Sequence, residues 1–226
     1  MRLALALTLS VASITSPRAH IVSSGSGHAR VVVLTFDAGA DRGYASSILR
    51  ILERNHLHAT FGMTGRWADQ NPDLMRQMAR DHDTFINHTF DHQSFTGLST
   101  GLRPLSTASR SWEVEETERA VRRLTGQTTK PYFRPPYGDY DTATLVLVRR
   151  LGYRYMVMWT VDSLGWQHLP ARQIVSRCLS LVRPGAILLM HVGSQSQDAL
   201  ALQAIVDGLR HRSYRFETVP ELLAGA

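Results

Sequence analysis

From Val31 onward, short apolar runs alternate with longer amphipathic stretches. Residues 31–36 are apolar apart from Thr35 and mostly β-branched, which predicts a strand covered on both faces. Residues 44–55 carry apolar side chains at helical spacing and predict the first helix. The alternation predicts further strands at 59–63, 84–87, 132–134, 155–159, 186–191 and 215–218, and further helices at 141–152, 171–182 and 198–210.

Polar residues and proline mark where several of the predicted helices begin. Asn71-Pro72 predicts a helix start, with Asn at the N-cap and Pro at the first helical position. Ser111 and Asp141 are expected to cap two later helices, the first of them after a polar loop at residues 93–109. Strands and helices that alternate repeatedly indicate an α/β fold with parallel strands, either an α/β barrel or a doubly wound sheet.

The N-terminus differs from the rest of the chain. Met1-Arg2 precedes an apolar run of ten residues that is too short to span a bilayer, and a polar stretch follows at residues 23–30. Residues 1–30 are therefore interpreted as a signal-like and polar segment, with Val11-Ala12-Ser13 the best cleavage site, and residues 31–226 as one catalytic domain. We expect a secreted or cell-envelope protein with no membrane insertion once the signal is removed.

The composition fits a globular domain: the chain has 226 residues, 43% apolar and 19% charged. Its formal net charge of +6 would attract polyanions. The Lys and Arg residues are scattered, however, so we expect no nucleic-acid partner. The single cysteine, Cys178, excludes an intrachain disulfide and a cysteine-based zinc site. We expect a monomer.

Ionisable residues lie at the ends of five predicted strands: Asp37, His88, Arg134, Asp162 and His191. In a parallel barrel these ends converge on one face, where active sites are built. The sequence therefore predicts a catalytic site at that face.

His88 and His92 form a His-x3-His pair. On a helical turn their Cβ atoms would lie about 5–6 Å apart, which suits two ligands of one divalent cation. Two partly exposed loop histidines bonded to the backbone are the alternative. Asp37 and Asp41 flank a glycine turn, where one carboxylate could coordinate metal and the other take a proton from water. Asp41 could equally cap the next helix.

Five further residues offer chemistry. Arg134 at a strand end can hold a carboxylate ionised, and Tyr137 after the Pro-Pro turn offers a backbone N–H and an aromatic ring. His191 is placed as a general acid or base, although such a histidine is often structural. Trp166 could stack on a pyranose ring or simply be a core residue, and Asp162 supplies one more carboxylate.

Taken together, these residues resemble the five motifs of the NodB-homology polysaccharide deacetylases, carbohydrate esterase family 4. The matching segments are, in order, Thr-Phe-Asp-x-Gly, His-Thr-x-x-His, Arg-x-Pro-Tyr, Val-Asp-Ser-x-x-Trp and a Leu-x-x-His strand end, spread over residues 31–218. The resemblance implies a distorted (β/α) barrel and a divalent metal, zinc first and cobalt second. The implied reaction is hydrolysis of N-acetyl groups on chitin-like or peptidoglycan glycans.

The resemblance also implies a role for each matching residue. The roles are catalytic base for Asp37, metal ligands for His88 and His92, steering of the base for Arg134, oxyanion stabilisation for Tyr137, and general acid for His191.

Three features depart from the family pattern, one of them Asp81-His82-Asp83 before the histidine motif, where a Gly-His pair is common. The family has a second Asp after the base, as third metal ligand, where this chain has Ala38. Asp41 or water is expected to fill that place. The family often has Asp before the motif-four Trp, orienting the acid histidine, where this chain has Gly165. Asp162 is the expected substitute.

The sequence thus predicts a metal-dependent hydrolase that removes N-acetyl groups from amino-sugar polymers, with an N-acetylated polysaccharide as its substrate. Because Ala38 and Gly165 replace carboxylates of the family pattern, a catalytically weak glycan-binding module is the second hypothesis. The third hypothesis is a hydrolase of the same fold that acts on a non-sugar amide.

Overall fold

The computed structural model describes residues 17–225, so the signal-like run and the favoured cleavage site lie outside the described residues. Within this described range, nine strands form one sheet: β1 His20–Val22, β2 Val31–Ala38, β3 Thr60–Met63, β4 Thr84–Asn87, β5 Tyr132–Phe133, β6 Tyr155–Val157, β7 Val161–Asp162, β8 Ala186–His191 and β9 Arg215–Glu217. The helices are α1 Ala45–Arg54, α2 Gly65–Gln70, α3 Pro72–Arg80, α4 Thr107–Thr125, α5 Thr142–Arg150, α6 Ala171–Leu181, α7 Asp198–His211 and α8 Val219–Ala224.

All strand pairs in the sheet are parallel, in the order β1-β6-β5-β4-β3-β2-β8-β7. β8 pairs with one edge of β2, while β3 and β9 share the other edge, β9 near its start and β3 near its end. An isolated antiparallel bridge between Ser24 and Ala186 links the segment after β1 to β8. The predicted α/β fold, a distorted (β/α) barrel, is confirmed as a curled half-barrel of parallel strands with helices packed against it.

Successive side chains of β2 point to opposite faces of the sheet, and this alternation places Asp37 on the inner face. Val32, Leu34 and Phe36 pack in a cluster with apolar residues of the helices, whereas Val31 and Val33 belong to a second cluster with residues of β4, β6 and β8. Side chains two apart in a strand lie on one face. The series that begins with Val31 therefore continues inward through Thr35 to Asp37.

The start of α4 differs from the sequence prediction. Ser106, not Ser111, is its N-cap, because Ser106 has extended backbone angles and its side chain accepts from the Ser109 N–H. Ser111 lies inside the helix, so the polar loop ends earlier than predicted. The predicted cap at Asp141 is confirmed as a capping box with Thr144.

The sheet begins at His20, before the first strand expected from the sequence. β1 pairs with β6, and the backbone N–H of the buried Ala19 donates to the Leu145 carbonyl at 3.0 Å. Residues 20–22 therefore belong to the folded sheet although the sequence pattern grouped them with the polar N-terminal segment.

The long loop before α4 is tied to the loop that follows β5. The Asp139 carboxylate accepts hydrogen bonds from the Ser94 and Thr96 hydroxyls and from the Ser99 backbone N–H. This carboxylate therefore fixes a polar segment beside the carboxyl ends of the strands.

Cys178 is buried in α6, and burial raises the pKa of its thiol to about 12. It is a packed residue, as expected. Of the helices described between residues 17 and 225, none combines the length and the apolar character needed to cross a bilayer.

Candidate active site

Asp37 and His191 sit side by side at the mouth of the half-barrel. They are register partners on the adjacent strands β2 and β8, and Gly62 on β3 is the partner of Asp37 on the other edge. Because partners in a parallel sheet project to the same face, the two side chains lie on the inner face together. The sheet brings together the predicted base and the predicted acid.

Arg134 anchors Asp37 from the end of β5. Its Nη1 donates to Asp37 Oδ1 at 2.7 Å and to Thr35 Oγ1 at 3.1 Å, and its Nε donates to the Val157 carbonyl at 3.0 Å. The arginine is fully buried and Asp37 is 7% exposed. A buried pair with these additional hydrogen bonds holds one carboxylate oxygen in a fixed position and leaves Oδ2 available.

The Asp37 carboxylate is ionised. Burial alone would raise its pKa, but the Arg134 charge, together with the His191 charge and the Arg134 hydrogen bond, lowers the pKa below its ordinary value. Gly62 leaves the space that this carboxylate occupies, since a Cβ there would lie 2.1 Å from Asp37 Oδ1. No sequence motif marks Gly62 as part of the site.

His88 offers a lone pair to the site. Its Nδ1 lies 2.9 Å from the Arg134 carbonyl oxygen, which only accepts, so Nδ1 carries the proton. Burial holds the pKa of His88 below its ordinary value, so the ring is neutral and Nε2 is unprotonated. That Nε2 faces Asp37 Oδ2 at 3.4 Å. Neither of these two atoms carries a proton for the other, so His88 Nε2 keeps a lone pair at the mouth that is available to a cation.

His92 and Tyr137 complete this side of the mouth. The His92 ring lies 4.8 Å from the His88 ring and 4.7 Å from the Tyr137 ring, measured between centroids. Burial lowers the pKa of His92 to about 3, so this ring is also neutral. His92 and Tyr137 both have positive φ, an uncommon backbone conformation for such residues that clusters at functional sites.

Asp41 does not join the two histidines. Its carboxylate accepts from the backbone N–H and the hydroxyl of Ser194, and these bonds fix it beside the loop after β8. Ala38, where the resemblance leads one to expect a ligand, is buried and apolar. In the described part of the chain, no three or more His, Cys, Asp or Glu side chains are grouped so as to hold a metal ion. The structure thus differs from the expectation for Asp41.

The carboxylate beside His191 belongs to Asp198, at the start of α7. Asp198 Oδ2 lies 3.8 Å from His191 Nδ1 and accepts from the His191 backbone N–H at 2.8 Å. Burial would lower the pKa of His191, but the neighbouring carboxylates, first Asp198 and then Asp37, raise it above its ordinary value. His191 is 27% exposed and so reaches the mouth.

Asp162, the expected substitute, is engaged elsewhere. Its carboxylate accepts from the Trp166 indole N–H at 3.2–3.3 Å and from the Leu164 backbone N–H at 2.9 Å. Trp166 is half exposed rather than a core residue. Asp162 therefore holds the Trp166 ring at the rim.

The strand-end pattern does not predict Asp198, because this residue follows His191 by seven positions and begins a helix. The available signal was Gly165, whose missing side chain required a carboxylate from another part of the chain. The assembled site combines an ionised buried carboxylate, two neutral imidazoles and a histidine with a raised pKa. Such a set can take a proton from water on one side and give one to a leaving group on the other.

Comparison with known proteins gives an independent result. The family model described as polysaccharide deacetylase matches residues 24–156, more than half of the chain. The chitooligosaccharide deacetylase of Azorhizobium caulinodans is 27% identical, over 84% of this chain and 92% of that protein. The peptidoglycan-N-acetylmuramic acid deacetylase PdaA of Bacillus subtilis is 28% identical, over 88% of this chain and 73% of that protein.

Solved structures agree. Bacillus subtilis PdaA, a family 4 carbohydrate esterase, superposes with a TM-score of 0.81 at 25% identity, covering 91% of this chain and 85% of that one. BA3943 from Bacillus anthracis, a pseudoenzyme of the same family, has a TM-score of 0.80 at 25% identity, with 90% and 68% covered. A BA3943 mutant with restored enzymatic activity also matches. The chain belongs to the polysaccharide deacetylase family, the NodB-homology hydrolases of carbohydrate esterase family 4.

Proposed function

We propose that this protein is an active, metal-dependent hydrolase that removes N-acetyl groups from amino-sugar polymers. The observation that carries the proposal is the pairing of Asp37 and His191 across neighbouring strands, with Asp37 held by Arg134 at 2.7 Å. A binding module has no need of an anchored, ionised base beside a histidine whose pKa is raised.

Asp37 is the base. Its Oδ1 is bound by Arg134, so Oδ2 receives the proton of the water molecule that attacks the acetyl carbonyl. Arg134 has no exposed surface and therefore positions Asp37 without contacting substrate. The backbone N–H of Tyr137 stabilises the oxyanion of the tetrahedral intermediate, and the Tyr137 ring, which is half exposed, borders the substrate.

His191 is the acid. It donates its Nε2 proton to the amine nitrogen as the carbon–nitrogen bond breaks, which yields acetate and a free amino sugar. The raised pKa of His191 keeps it protonated over a wider pH range than an ordinary histidine. Trp166, with its indole N–H held by Asp162, is placed to stack on a neighbouring sugar ring.

His88 and His92 fit a divalent metal by the chemistry of their donor atoms. Both rings are neutral, and His88 Nε2 directs its lone pair toward the Asp37 carboxylate. Imidazole nitrogen suits zinc, the metal we expect first, and also cobalt. When bound, such a cation would supply Lewis acidity that activates water and polarises the carbonyl. The family's enzymes are generally metal-dependent.

The names of the relatives support a proposal for the class of substrate and for the place where the protein acts. Those described above are named for chitooligosaccharide and for peptidoglycan. Both substrates contain N-acetylated amino sugars, so we propose that the protein acts on such a polymer outside the cytoplasmic membrane, as a secreted or envelope-associated monomer. Its formal charge of +6 favours an anionic wall.

A glycan-binding protein without activity is the second candidate. Ala38 in place of the expected metal ligand favours it, as does the likeness to a pseudoenzyme of the same fold. The two candidates differ in one measurable outcome, because only the enzyme releases acetate.

The test is acetate release from N-acetylated chitooligosaccharides and from peptidoglycan by the purified protein. Release that a chelator abolishes and added Zn²⁺ or Co²⁺ restores is the expected result. Asp37→Asn and His191→Gln should each remove it, while Asp207→Asn, an exposed position at the far end of α7, should not. Glycan binding without acetate release from either substrate, with metal present, would instead support the binding protein.

A further inference from the structure

We propose that Asp198 orients the acid His191, and that Gly165 provides the space its carboxylate occupies. The inference rests on the proposed function, since it assigns a positioning residue to the same reaction. In the family pattern the orienting carboxylate comes from the residue before the motif-four tryptophan, where this chain has Gly165. Here the carboxylate comes from the first residue of α7.

Asp198 is built into this position. Its side chain has no exposed surface, and its Oδ2 accepts from the His191 backbone N–H and from the Ser196 hydroxyl, both at 2.8 Å. A buried carboxylate is retained only where its bonds offset the cost of removing it from water. These bonds fix the carboxylate against the backbone of the residue whose ring it faces.

Two buried polar atoms between these side chains remain without partners. Among the described residues, His191 Nδ1 and Asp198 Oδ1 are buried and form no hydrogen bond. Nδ1 lies 3.8 Å from Asp198 Oδ2, about 1 Å beyond hydrogen-bond distance. A small rotation of the His191 ring would satisfy its nitrogen. An Nδ1–H bonded to Asp198 leaves Nε2 directed toward the mouth, as an acid requires.

Gly165 makes this arrangement possible. A Cβ at Gly165 would lie 2.5 Å from Asp198 Oδ1, 2.6 Å from its Cγ and 2.5 Å from Ser196 Oγ. These distances are far inside van der Waals contact. A side chain at position 165 and the carboxylate of Asp198 therefore exclude one another, and this chain retains the carboxylate.

Neither of the other nearby carboxylates is free for this role. Asp162 is bonded to the Trp166 indole and to the Leu164 backbone, and Asp37 is bonded to Arg134. Each of these two carboxylates is therefore held by partners other than His191.

A measurement that needs no activity tests the orientation directly. In the Zn²⁺-loaded protein, ¹H–¹⁵N correlation of the His191 ring, identified by its loss in His191→Gln, should show the neutral ring protonated at Nδ1. Asp198→Asn keeps an oxygen for the His191 N–H and removes the charge, so the ring should shift toward the Nε2–H form. Asp207→Asn, the same change on the exposed part of α7, should leave the ring unchanged. An unchanged tautomer in Asp198→Asn, in folded protein, refutes the proposal.

Kinetics and a relocation experiment provide the second test. General acid–base catalysis contributes about 10²–10⁴-fold, so Asp198→Asn should lower kcat about 10- to 100-fold with KM nearly constant. Gly165→Asp alone should fold poorly, because two carboxylates would compete for one space. The double variant Asp198→Ala with Gly165→Asp should recover folding and part of kcat relative to Asp198→Ala.

The outcomes separate the two proposals. If the wild-type protein releases no acetate, the proposed function fails, and the tautomer measurement still decides the role of Asp198. If the wild type is active while Asp198→Asn retains full kcat, or if the double variant is no better than Asp198→Ala, the role of Asp198 is refuted and the function stands.

Discussion

Gly62→Ala adds one methyl group at the position that limits the Asp37 carboxylate. The new Cβ would lie 2.1 Å from Asp37 Oδ1, whereas ordinary contact begins at 3.4 Å. The carboxylate must therefore move by about 1.3 Å, because the neighbouring backbone of β3 is held on both edges by β2 and β4. Misplacing a reacting group by about 1 Å costs roughly 10²-fold in rate. We expect acetate release to fall about 100-fold.

Stability should change in the same direction but less sharply. Displacing Asp37 weakens its buried bond to Arg134, and breaking such a pair completely costs about 3–5 kcal/mol. Replacing glycine by alanine regains about 0.4–1 kcal/mol by restricting the unfolded chain. We expect a net loss of at most about 4.6 kcal/mol, which lowers Tm by up to about 18 °C for a domain of this size.

Gly193→Ala is the matched control. It lies two residues after His191, and its added Cβ would meet its neighbours at ordinary distances, 3.5 and 3.6 Å. Acetate release and thermal unfolding are measured for both variants beside the wild type. If Gly62→Ala keeps more than half of the wild-type rate, or if Gly193→Ala loses as much, clearance around the Asp37 carboxylate does not control the reaction.

Three further predictions concern stability and metal binding. Ser106→Ala should destabilise the protein by about 1 kcal/mol through loss of the α4 N-cap, and Ser111→Ala by much less, as urea unfolding would reveal. Burial raises the pKa of Asp83 to about 8, above its value in the unfolded chain. The stability that the protonated carboxyl contributes is therefore complete below about pH 4 and is lost as the pH rises to 8. Asp83→Asn should flatten this decrease of Tm with pH in thermal scans, and an unchanged dependence of Tm on pH would contradict the assignment. His88→Ala should abolish Zn²⁺ binding measured by calorimetry, and tight binding by the variant would exclude His88 as a ligand.

Much of the site follows from strand ends alone. Asp37, His88, Arg134 and His191 were predicted because each follows an apolar run, and parallel strands bring such positions to one face. Their close contacts depend on register, however, which pairs Asp37 with His191 across β2 and β8. The register of two strands is set when the sheet assembles, and the sequence of either strand alone does not reveal which residues will pair.

Other features depend on tertiary contacts and were out of reach. β1 has only three residues, and its pairing with β6 defines it rather than any periodicity of its own. Asp41 and Asp162 are ordinary carboxylates by sequence, and only their partners, Ser194 and Trp166, show that they are engaged elsewhere. Asp198 reaches His191 only because the turn between β8 and α7 brings its carboxylate to the His191 backbone N–H.

The position of β1 bears on how the chain could be processed. His20–Val22 pairs with β6, and the bridge at Ser24 joins this segment to β8. A leader peptidase that cut after Val22 would remove an edge strand and expose unpaired backbone groups of β6 to solvent. Cleavage that leaves the sheet intact falls before His20, so the last residue of any leader that is removed is Ala19 or an earlier residue.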